Sequence, residues 1–202
     1  MYRYGSNLTQ KAKLVITGNP GVGKHTSAKS VIEKIGSGNI IDINRFAISH
    51  DAILNKHSKY GLEVNTKKLA KLLALELRGS RDLTIIVGHL APYVLKHSDI
   101  DLVTVLRRSP YDLIKTFKQR GYSVDKIREN VASEIIGVSF YDSLRTFGKE
   151  KVAEVDTTLK KPGDVATKII LALDQKIAKE IGIVDWLSLV HEKGDLQKFL
   201  EY

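Results

Sequence analysis

Short apolar runs alternate with longer amphipathic segments along most of this chain. Each run is five or six residues long, is rich in Val, Ile and Leu, and is followed by a glycine or a polar stretch. This pattern is typical of a strand that is buried on both faces. The predicted strands are Lys13–Thr17, Asn39–Ile43, Leu83–Val87, Asp101–Leu106 and Lys151–Val155.

The segments between these runs place apolar residues three or four positions apart, which is the spacing of a helix with one buried face. Thr66 is the predicted cap of one helix, and Ser109 with Pro110 gives another a hydroxyl cap and a proline in its first turn. The segment Asn55–Asn65 has no strong period and is expected to be mobile. The predicted helices are Lys24–Ile35, Asn44–Leu54, Thr66–Gly79, Ser109–Arg120, Asp125–Phe147 (one helix or a pair) and Pro162–Ile181.

Strands that alternate with helices predict a parallel sheet covered by helices on both faces. No internal repeat, low-complexity tract or interdomain linker interrupts the pattern, and 202 residues are enough for one domain with a full core. We therefore predict one domain over residues 1–202, with a doubly wound five-stranded parallel α/β sheet. Its core extends from about residue 13 to 181, and a tail at 182–202 holds the only Trp, Trp186.

The composition narrows the class of protein. Hydrophobic residues make up 43% of the chain, the mean hydropathy is -0.14, and no apolar run approaches the ~18 residues that a membrane span needs. The N-terminal residues lack the apolar region of a secretory signal. The absence of cysteine excludes disulfides, thiolate nucleophiles and cysteine-based zinc sites. We expect a cytoplasmic protein that does not contact a membrane.

The charge is strongly basic, with 32 Lys and Arg against 23 acids and a formal net charge of +9. Such a surplus suits a polyanionic partner, either a nucleotide or a nucleic acid, but it also serves solubility alone. Its distribution is uneven, since Arg107–Arg128 holds seven basic residues against two acids.

The sequence GNPGVGKHT at Gly18–Thr26 lies between the first predicted strand and the first predicted helix. Glycines let backbone N–H groups close around phosphate oxygens, and the helix N-terminus adds a positive partial charge. Lys24 is placed to reach the β- and γ-phosphates of a nucleoside triphosphate. The Rossmann dinucleotide pattern does not fit, because Thr26 stands where its last glycine belongs. The predicted phosphate-binding residues are Gly18, Gly21, Val22, Gly23, Lys24, His25 and Thr26.

His25 departs from the usual phosphate loop, which has a Ser or Thr after the lysine. Mg²⁺ prefers hard oxygen ligands, and imidazole is a poor substitute. Thr26 cannot replace the missing hydroxyl, because neighbouring helical side chains point about 100° apart. His25 can hold the metal through a water, contact phosphate when protonated, or pack beside the loop. No residue is assigned as a direct metal ligand.

Further motifs carry a family resemblance. GNPGVGKHT, VGHLAPYV at Val87, VLRRSP at Val105 and RGYSVDKIRENVASEI at Arg120 follow one another as in the adenylate kinase isoenzyme 6 (CINAP-type) family. This chain resembles that family over about Lys13–Ile181, and the segment after Arg120 is the most specific part. The resemblance implies a phosphate-loop nucleoside monophosphate kinase fold, with a small helical lid at about residues 119–130.

By this resemblance the loop residues bind ATP, and Arg120 takes the place of the lid arginine that contacts ATP. The segment at 44–65 corresponds to the monophosphate-binding region, where Arg45 is the nearest candidate for an expected arginine. VDTTLKKPGDV, which begins at Val155, corresponds to the loop beside the adenine. Phosphoryl transfer spreads negative charge over the phosphoryl oxygens, and the guanidinium of an arginine on a closing lid can stabilise that charge. Arg120 is alternatively a helix-terminal arginine that the dipole favours.

The chain also departs from the family at the end of the third strand, where an acid, one residue and a histidine are usual. Val87 replaces the acid, while His89 remains as a catalytic candidate or a structural histidine. Both magnesium-organising positions, His25 and Val87, are thus altered, and Mg²⁺ is expected with altered protein ligands. The predicted catalytic residues are Lys24, Arg120 and His89.

These features predict a kinase of adenylate kinase type that converts ATP and AMP to two ADP, with slow ATPase activity, and the family resemblance implies a role in small ribosomal subunit assembly. The alternative is a catalytically weakened assembly factor that responds to nucleotide and docks on a small-subunit ribosomal protein or rRNA. A third reading, another small-molecule kinase, shares the fold but does not predict the segment after Arg120.

Overall fold

The chain is described by a computed structural model over residues 11–58 and 61–200, without the side chains of residues 56–58, 61, 62 and 200. The strands are β1 (Lys13–Thr17), β2 (Asn39–Asp42), β3 (Ile53–Ser58), β4 (Gly61–Val64), β5 (Thr84–Val87), β6 (Leu102–Arg107) and β7 (Val152–Asp156). The helices are α1 (Lys24–Ile35), α2 (Ile43–Ser49), α3 (Thr66–Gly79), α4 (Ala91–Val94), α5 (Pro110–Gln119), α6 (Val124–Ile135), α7 (Val138–Phe147), α8 (Pro162–Leu173), α9 (Trp186–Glu192) and α10 (Leu196–Leu200).

Five strands form the central sheet in the order β2-β5-β1-β6-β7, and all its pairings are parallel. Along β1, Leu14 and Ile16 face one apolar core while Val15 faces the other. Strands β1, β5, β6 and β7 are buried almost throughout, which is why they read as continuous apolar runs in the sequence, whereas the edge strand β2 is partly exposed. The predicted doubly wound five-stranded parallel sheet is confirmed.

Helices cover both faces of the sheet. Residues of α1, α5, α6 and α8 form one core cluster, which Val190 of α9 and Phe199 of α10 extend. Residues of α2, α3, α4 and α7 form the cluster on the opposite face. Because the five strands are parallel, their carboxyl ends meet at one edge, and the loops that follow them gather there.

The region between β2 and α3 differs from the sequence prediction. The helix predicted over Asn44–Leu54 begins at Ile43, because the Asp42 side chain accepts a hydrogen bond from the Arg45 amide (2.8 Å) and caps it. It ends at Ser49. The segment Asn55–Asn65, where no element was predicted, instead lies largely in an antiparallel hairpin of β3 and β4. Its largely polar sequence carries no apolar period that would reveal a strand.

Helix ends account for the remaining differences. Asn65, and not the predicted Thr66, caps α3 through a bond from the Lys68 amide (3.0 Å). Ser109 precedes α5 as predicted, but its hydroxyl makes no capping bond. The segment predicted as one helix or a pair over Asp125–Phe147 is the pair α6 and α7, divided at Gly137, whose φ is 72°.

The helix predicted over Pro162–Ile181 ends at Leu173. Beyond it the chain runs beside β7, where the Glu180 carbonyl accepts a bond from the Glu154 amide (2.7 Å) and the Ile183 amide donates to the Glu154 carboxylate (2.8 Å). These backbone groups bond to β7 instead of continuing the helix, so the C-terminal segment is brought toward the sheet.

A buried ion network joins the sheet to α6. Arg107, at the end of β6, donates from Nε to the Glu134 carboxylate (2.8 Å) and from a terminal nitrogen to Glu154 (2.6 Å). The three side chains are 4%, 0% and 0% exposed, respectively. The same Glu134 accepts bonds from Asn19 (2.7 Å) and Trp186 (3.1 Å). One carboxylate thus joins the loop after β1, the end of β6 and the C-terminal segment.

We expect Arg107→Met to lower the free energy of unfolding by about 3–5 kcal/mol, because it leaves two buried carboxylates without their cation. Urea denaturation monitored by circular dichroism measures the change. Arg145→Met is the matched control, since Arg145 pairs with Asp142 (3.2 Å) on the surface and its side chain is 76% exposed. The control should lose about 1 kcal/mol or less. Equal losses in the two variants would show that the buried ion network contributes no more to the free energy of unfolding than a surface ion pair does.

Candidate functional site

The loop that joins β1 to α1 is shaped by glycines. Gly18 has φ 129° and lies so close to the Leu106 carbonyl that a Cβ would overlap it. Gly21 has φ 85°, and its Cβ would meet the Leu113 side chain at 2.9 Å. Helix α1 then starts after Gly23 with no side-chain cap and no acid in its first turn. Its first N–H groups are left for a ligand at the helix N-terminus, where an anion is favoured.

Lys24 folds back under this loop. Its Nζ donates to the carbonyls of Gly18 (2.9 Å) and Asn19 (2.9 Å). The pKa of Lys24 is lowered to about 8, mainly by loss of hydration on burial; the Glu134 and Asp42 carboxylates oppose this decrease, and the Arg120 guanidinium adds to it. The positive charge of the Lys24 ammonium is therefore only partly balanced by nearby negative groups. A bound polyanion would supply the missing negative charge.

A cavity of about 360 Å³ opens between the loop, the ends of β2 and β5, and the end of α5. Seven of the predicted site residues line it, and Asp42, Asn44 and Tyr122 join them although no role was predicted for them. The lining residues are Pro20, Gly21, Gly23, Lys24, His25, Thr26, Asp42, Asn44, Val87, Gly88, His89, Arg120 and Tyr122.

Three predicted site residues lie outside this lining. Gly18 and Val22 are buried behind the loop, and the Val22 carbonyl accepts a bond from the Thr157 hydroxyl (3.0 Å). That bond holds the segment after β7 against the loop. Arg45 lies on α2 and lines a neighbouring depression that also includes His25 and Asp42. The structure therefore places Arg45 beside the cavity and not within it.

His25 contacts the Asp42 carboxylate directly, through its Nε2 and the Asp42 Oδ2. Partial burial of Asp42 opposes ionisation, but the Arg45 amide and the His25 ring donate to the carboxylate and hold its pKa below the ordinary value. Sequence reasoning missed Asp42, which was read only as part of a strand. Its position as the last residue of β2, at the carboxyl edge of the sheet, was the available signal.

Asp42 is also the direct neighbour of Val87, because the two residues are Cα partners in the pairing of β2 with β5. Val87 is the position where the sequence led us to expect an acid. The cavity therefore does contain a carboxylate at this edge, one strand away from the expected place.

Arg120 and His89 both line the cavity that holds Lys24, and both are exposed. The cavity wall displaces water from part of the His89 ring, and together with the nearby Lys24 ammonium it lowers the pKa of His89. His89 is therefore suited to act as a neutral imidazole. Tyr122 stacks on Phe117 with ring centroids 5.1 Å apart, which fixes the chain just after Arg120.

Two further residues support the loop and were missed from the sequence. The buried Asn19 donates to Glu134 and accepts bonds from Ser133 (3.2 Å) and Ser139 (3.1 Å). Arg108 donates to the Gly21 carbonyl (3.2 Å). Both contacts join residues far apart in sequence, so no local pattern could have indicated them.

Comparisons with known proteins agree with this geometry. A family model described as an AAA domain matches residues 14–137. A protein named "Putative adenylate kinase" from Pyrococcus furiosus is 36% identical over 179 residues, which cover 89% of this chain and 93% of that protein. A protein of the same name from Thermococcus gammatolerans is 32% identical and covers 89% of this chain and 95% of its own.

Solved structures show the same fold at low identity. Shikimate kinase from Aquifex aeolicus superposes with a TM-score of 0.52 and 16% identity, covering 81% of this chain and 97% of that one. Across the described part of the chain, no helix has the length and apolar character needed to cross a membrane.

We expect the stability of the protein to depend on pH through Lys24. Its pKa is about 8 when folded and near 10.5 when unfolded. Below pH 8 the lysine is protonated in both states, and burial of the charge costs stability. Between pH 8 and 10.5 the folded state releases the proton while the unfolded state keeps it, so stability rises with pH.

Relative to Lys24→Met, the wild type should therefore gain about 2 kcal/mol between pH 8 and pH 10. Urea unfolding of both proteins at each pH measures the difference. Lys29→Met, an exposed change on the same helix, is the control and should show no such gain. Parallel pH profiles for wild type and Lys24→Met would rule out an enclosed ammonium.

Proposed function

The chain belongs to the nucleotide kinase family of these archaeal relatives, and we propose that it is a nucleoside monophosphate kinase of adenylate kinase type. It is a phosphotransferase of the phosphate-loop kinase fold. The proposed reaction transfers the γ-phosphoryl group of ATP to AMP and gives two ADP. We further propose that it acts in the cytoplasm.

One observation carries this proposal. Lys24 is enclosed by the loop, bonded only to carbonyls in the described residues, and placed in a cavity that Arg120 also lines. Two cations and the uncapped start of α1 thus face one space. A triphosphate supplies the negative charge that this space lacks, and the cavity extends past Lys24 toward β2, where an acceptor has room.

In the proposed mechanism, the loop amides and Lys24 hold the β- and γ-phosphates, and Arg120 neutralises charge that develops on the transferred phosphoryl group. The acceptor monophosphate lies toward α2, beside Asn44 and Arg45. Catalysis then consists of positioning two substrates and excluding water, because phosphoryl transfer needs little covalent chemistry from side chains. His89, as a neutral imidazole, orients the acceptor phosphate from the β5 side.

Mg²⁺ accompanies ATP in nucleotide kinases and would neutralise the phosphate oxygens. The residues at the two expected protein positions do not fit it, because His25 offers nitrogen and Val87 offers no ligand atom. The described residues also contain no group of three or more His, Cys, Asp or Glu able to hold a metal. Asp42 supplies the one hard carboxylate oxygen among the described residues that line the cavity, and it is already bonded to His25.

The basic net charge of the chain and the two altered magnesium-organising positions, His25 and Val87, favour a second function. The net charge of +9 suits an RNA surface, and slowed turnover would leave nucleotide bound. The chain would then be an assembly factor of the small ribosomal subunit that responds to ATP and docks on a ribosomal protein or rRNA. ADP formation from ATP that does not depend on AMP would favour this function over the kinase.

We expect Lys24→Met to weaken ATP binding by about 100-fold or more, because the loop amides alone leave the triphosphate without its cation. Isothermal titration calorimetry measures the affinity. Lys71→Met, an exposed change on α3, is the control and should bind as the wild type does. If Lys24→Met binds ATP with wild-type affinity, the assignment of Gly18–Thr26 as a phosphate-binding loop is wrong.

We expect Arg120→Ala to lower kcat by about 100-fold while ATP affinity changes far less, because the guanidinium interacts most strongly with charge in the transition state. A coupled assay of ADP formation, with and without AMP, gives kcat, and calorimetry gives the affinity. Lys118→Ala removes a neighbouring exposed cation and should leave both unchanged. Unchanged kinetics in Arg120→Ala would make Arg120 a helix-terminal residue only.

A further inference from the structure

We propose that His25 and Asp42 form a cation site that, completed by the phosphate oxygens of a bound nucleotide, takes a first-row transition-metal ion such as Mn²⁺ in preference to Mg²⁺. This inference rests on the proposed nucleotide site. It concerns the identity of the ion and the two side chains that hold it.

The geometry brings both ligand atoms to one point. His25 Nε2 and Asp42 Oδ2 are in direct contact at the wall of the cavity that holds Lys24. Two protein atoms that bind one ion, with bonds of about 2.0–2.2 Å, lie roughly 3 Å apart, so a small separation of the pair admits the ion. The His25 side chain is 57% exposed and can make this adjustment, whereas that of Asp42 is 17% exposed.

The Asp42 carboxylate is oriented by the backbone. Its Oδ1 accepts a bond from the Arg45 amide at 2.8 Å, so Oδ2 is directed toward His25 and the loop. Fixing one oxygen of a metal-binding carboxylate is a common way in which proteins orient a ligand. The capping bond of α2 therefore also sets the direction of the proposed ligand atom.

The position of the carboxylate explains why a histidine stands at position 25. Asp42 lies across from Val87 in the register of β2 and β5, so the acid is about 4.8 Å further from the loop than an acid on β5 would be. A threonine hydroxyl at position 25 would lie two bonds nearer the backbone than the His25 Nε2 that contacts Asp42. The longer imidazole reaches Asp42 and joins it on one ion.

The donor set selects the ion. Mg²⁺ demands oxygen ligands in near-ideal octahedral geometry. Mn²⁺ also binds carboxylate and phosphate oxygens, but as a first-row transition-metal ion it accepts an imidazole nitrogen more readily than Mg²⁺ does, and Co²⁺ and Zn²⁺ bind such a mixed site more tightly still. Two protein ligands hold such an ion only weakly, and the nearby Lys24 ammonium repels it. Nucleotide phosphates offset that charge and supply further oxygens, so the ion should bind tightly only together with the nucleotide.

The test uses the full chain labelled with ¹⁵N-histidine, ADP as the nucleotide, and Mn²⁺ as the probe. Electron paramagnetic resonance of free Mn²⁺ gives the affinity of the ternary complex, and electron spin echo spectroscopy detects a bound imidazole through ¹⁵N coupling. The ¹⁵N label separates histidine from the nitrogens of adenine. Equilibrium dialysis of ADP without any divalent ion measures the nucleotide site independently.

We expect ¹⁵N coupling in the wild type and its loss in His25→Thr. His25→Thr and Asp42→Asn should each lower Mn²⁺ affinity in the ADP complex about tenfold or more. His25→Thr should also lower the ratio of Mn²⁺ to Mg²⁺ affinity. The amide oxygen introduced by Asp42→Asn can still accept the bond that caps α2, so this variant should fold. Asp51→Asn, at an exposed acid just after α2, is the control and should bind Mn²⁺ as the wild type does.

Two results would overturn the proposal in different ways. If ADP binds to all four proteins but Mn²⁺ affinity is equal and no ¹⁵N coupling is present, the ion is held by phosphates and water alone. If ADP does not bind to the wild type with or without an ion, the nucleotide site itself fails, and the cation site that depends on it fails too.

Discussion

The position of the phosphate loop depends on one buried guanidinium shared by two buried carboxylates. Arg107 holds Glu134 of α6 and Glu154 of β7, and the second oxygen of Glu134 then holds Asn19 inside the loop. Buried ions of this kind persist only when each is paired and hydrogen-bonded, so displacing any member leaves a charge without compensation. The loop is therefore fixed from behind, while its other side remains open to the cavity.

The same network explains why the C-terminal segment lies where it does. Trp186 donates to Glu134, and the Ile183 amide donates to Glu154, so both carboxylates complete their hydrogen bonding with groups from beyond α8. Without them the carboxylates would keep unsatisfied acceptors in the core, which is costly. The helix that the sequence predicts to Ile181 ends at Leu173, and the chain beyond it lies along β7, where the Glu180 carbonyl accepts a bond from the Glu154 amide.

The parts of the structure that could be predicted are those whose sequence pattern lies within one continuous segment of the chain. Four of the five sheet strands were predictable because they are buried on both faces, which leaves a local apolar pattern, and the short apolar run of β2 was found although this edge strand is partly exposed. The loop was predictable because its strand, glycines, lysine and helix are consecutive. The β3–β4 hairpin carries no apolar period, and Asn19, Arg108 and Asp42 acquire their contacts only through the fold. Asn19 and Arg108 could not be found from local patterns, and the only signal for Asp42 was its position at the end of β2.

Asp42 shows most clearly what reading along one strand cannot detect. The sequence indicates a missing acid at Val87, which suggests a weakened site, but β2 and β5 pair in parallel with Asp42 directly across from Val87. A side chain lost from one strand can thus be supplied by its neighbour, at a distance set by the spacing between strands. The partner of that side chain must then change length, as the imidazole of His25 does in reaching it. The two positions that look like separate defects in the sequence, His25 and Val87, are linked in the folded chain through Asp42, which pairs with Val87 across the strands and contacts His25.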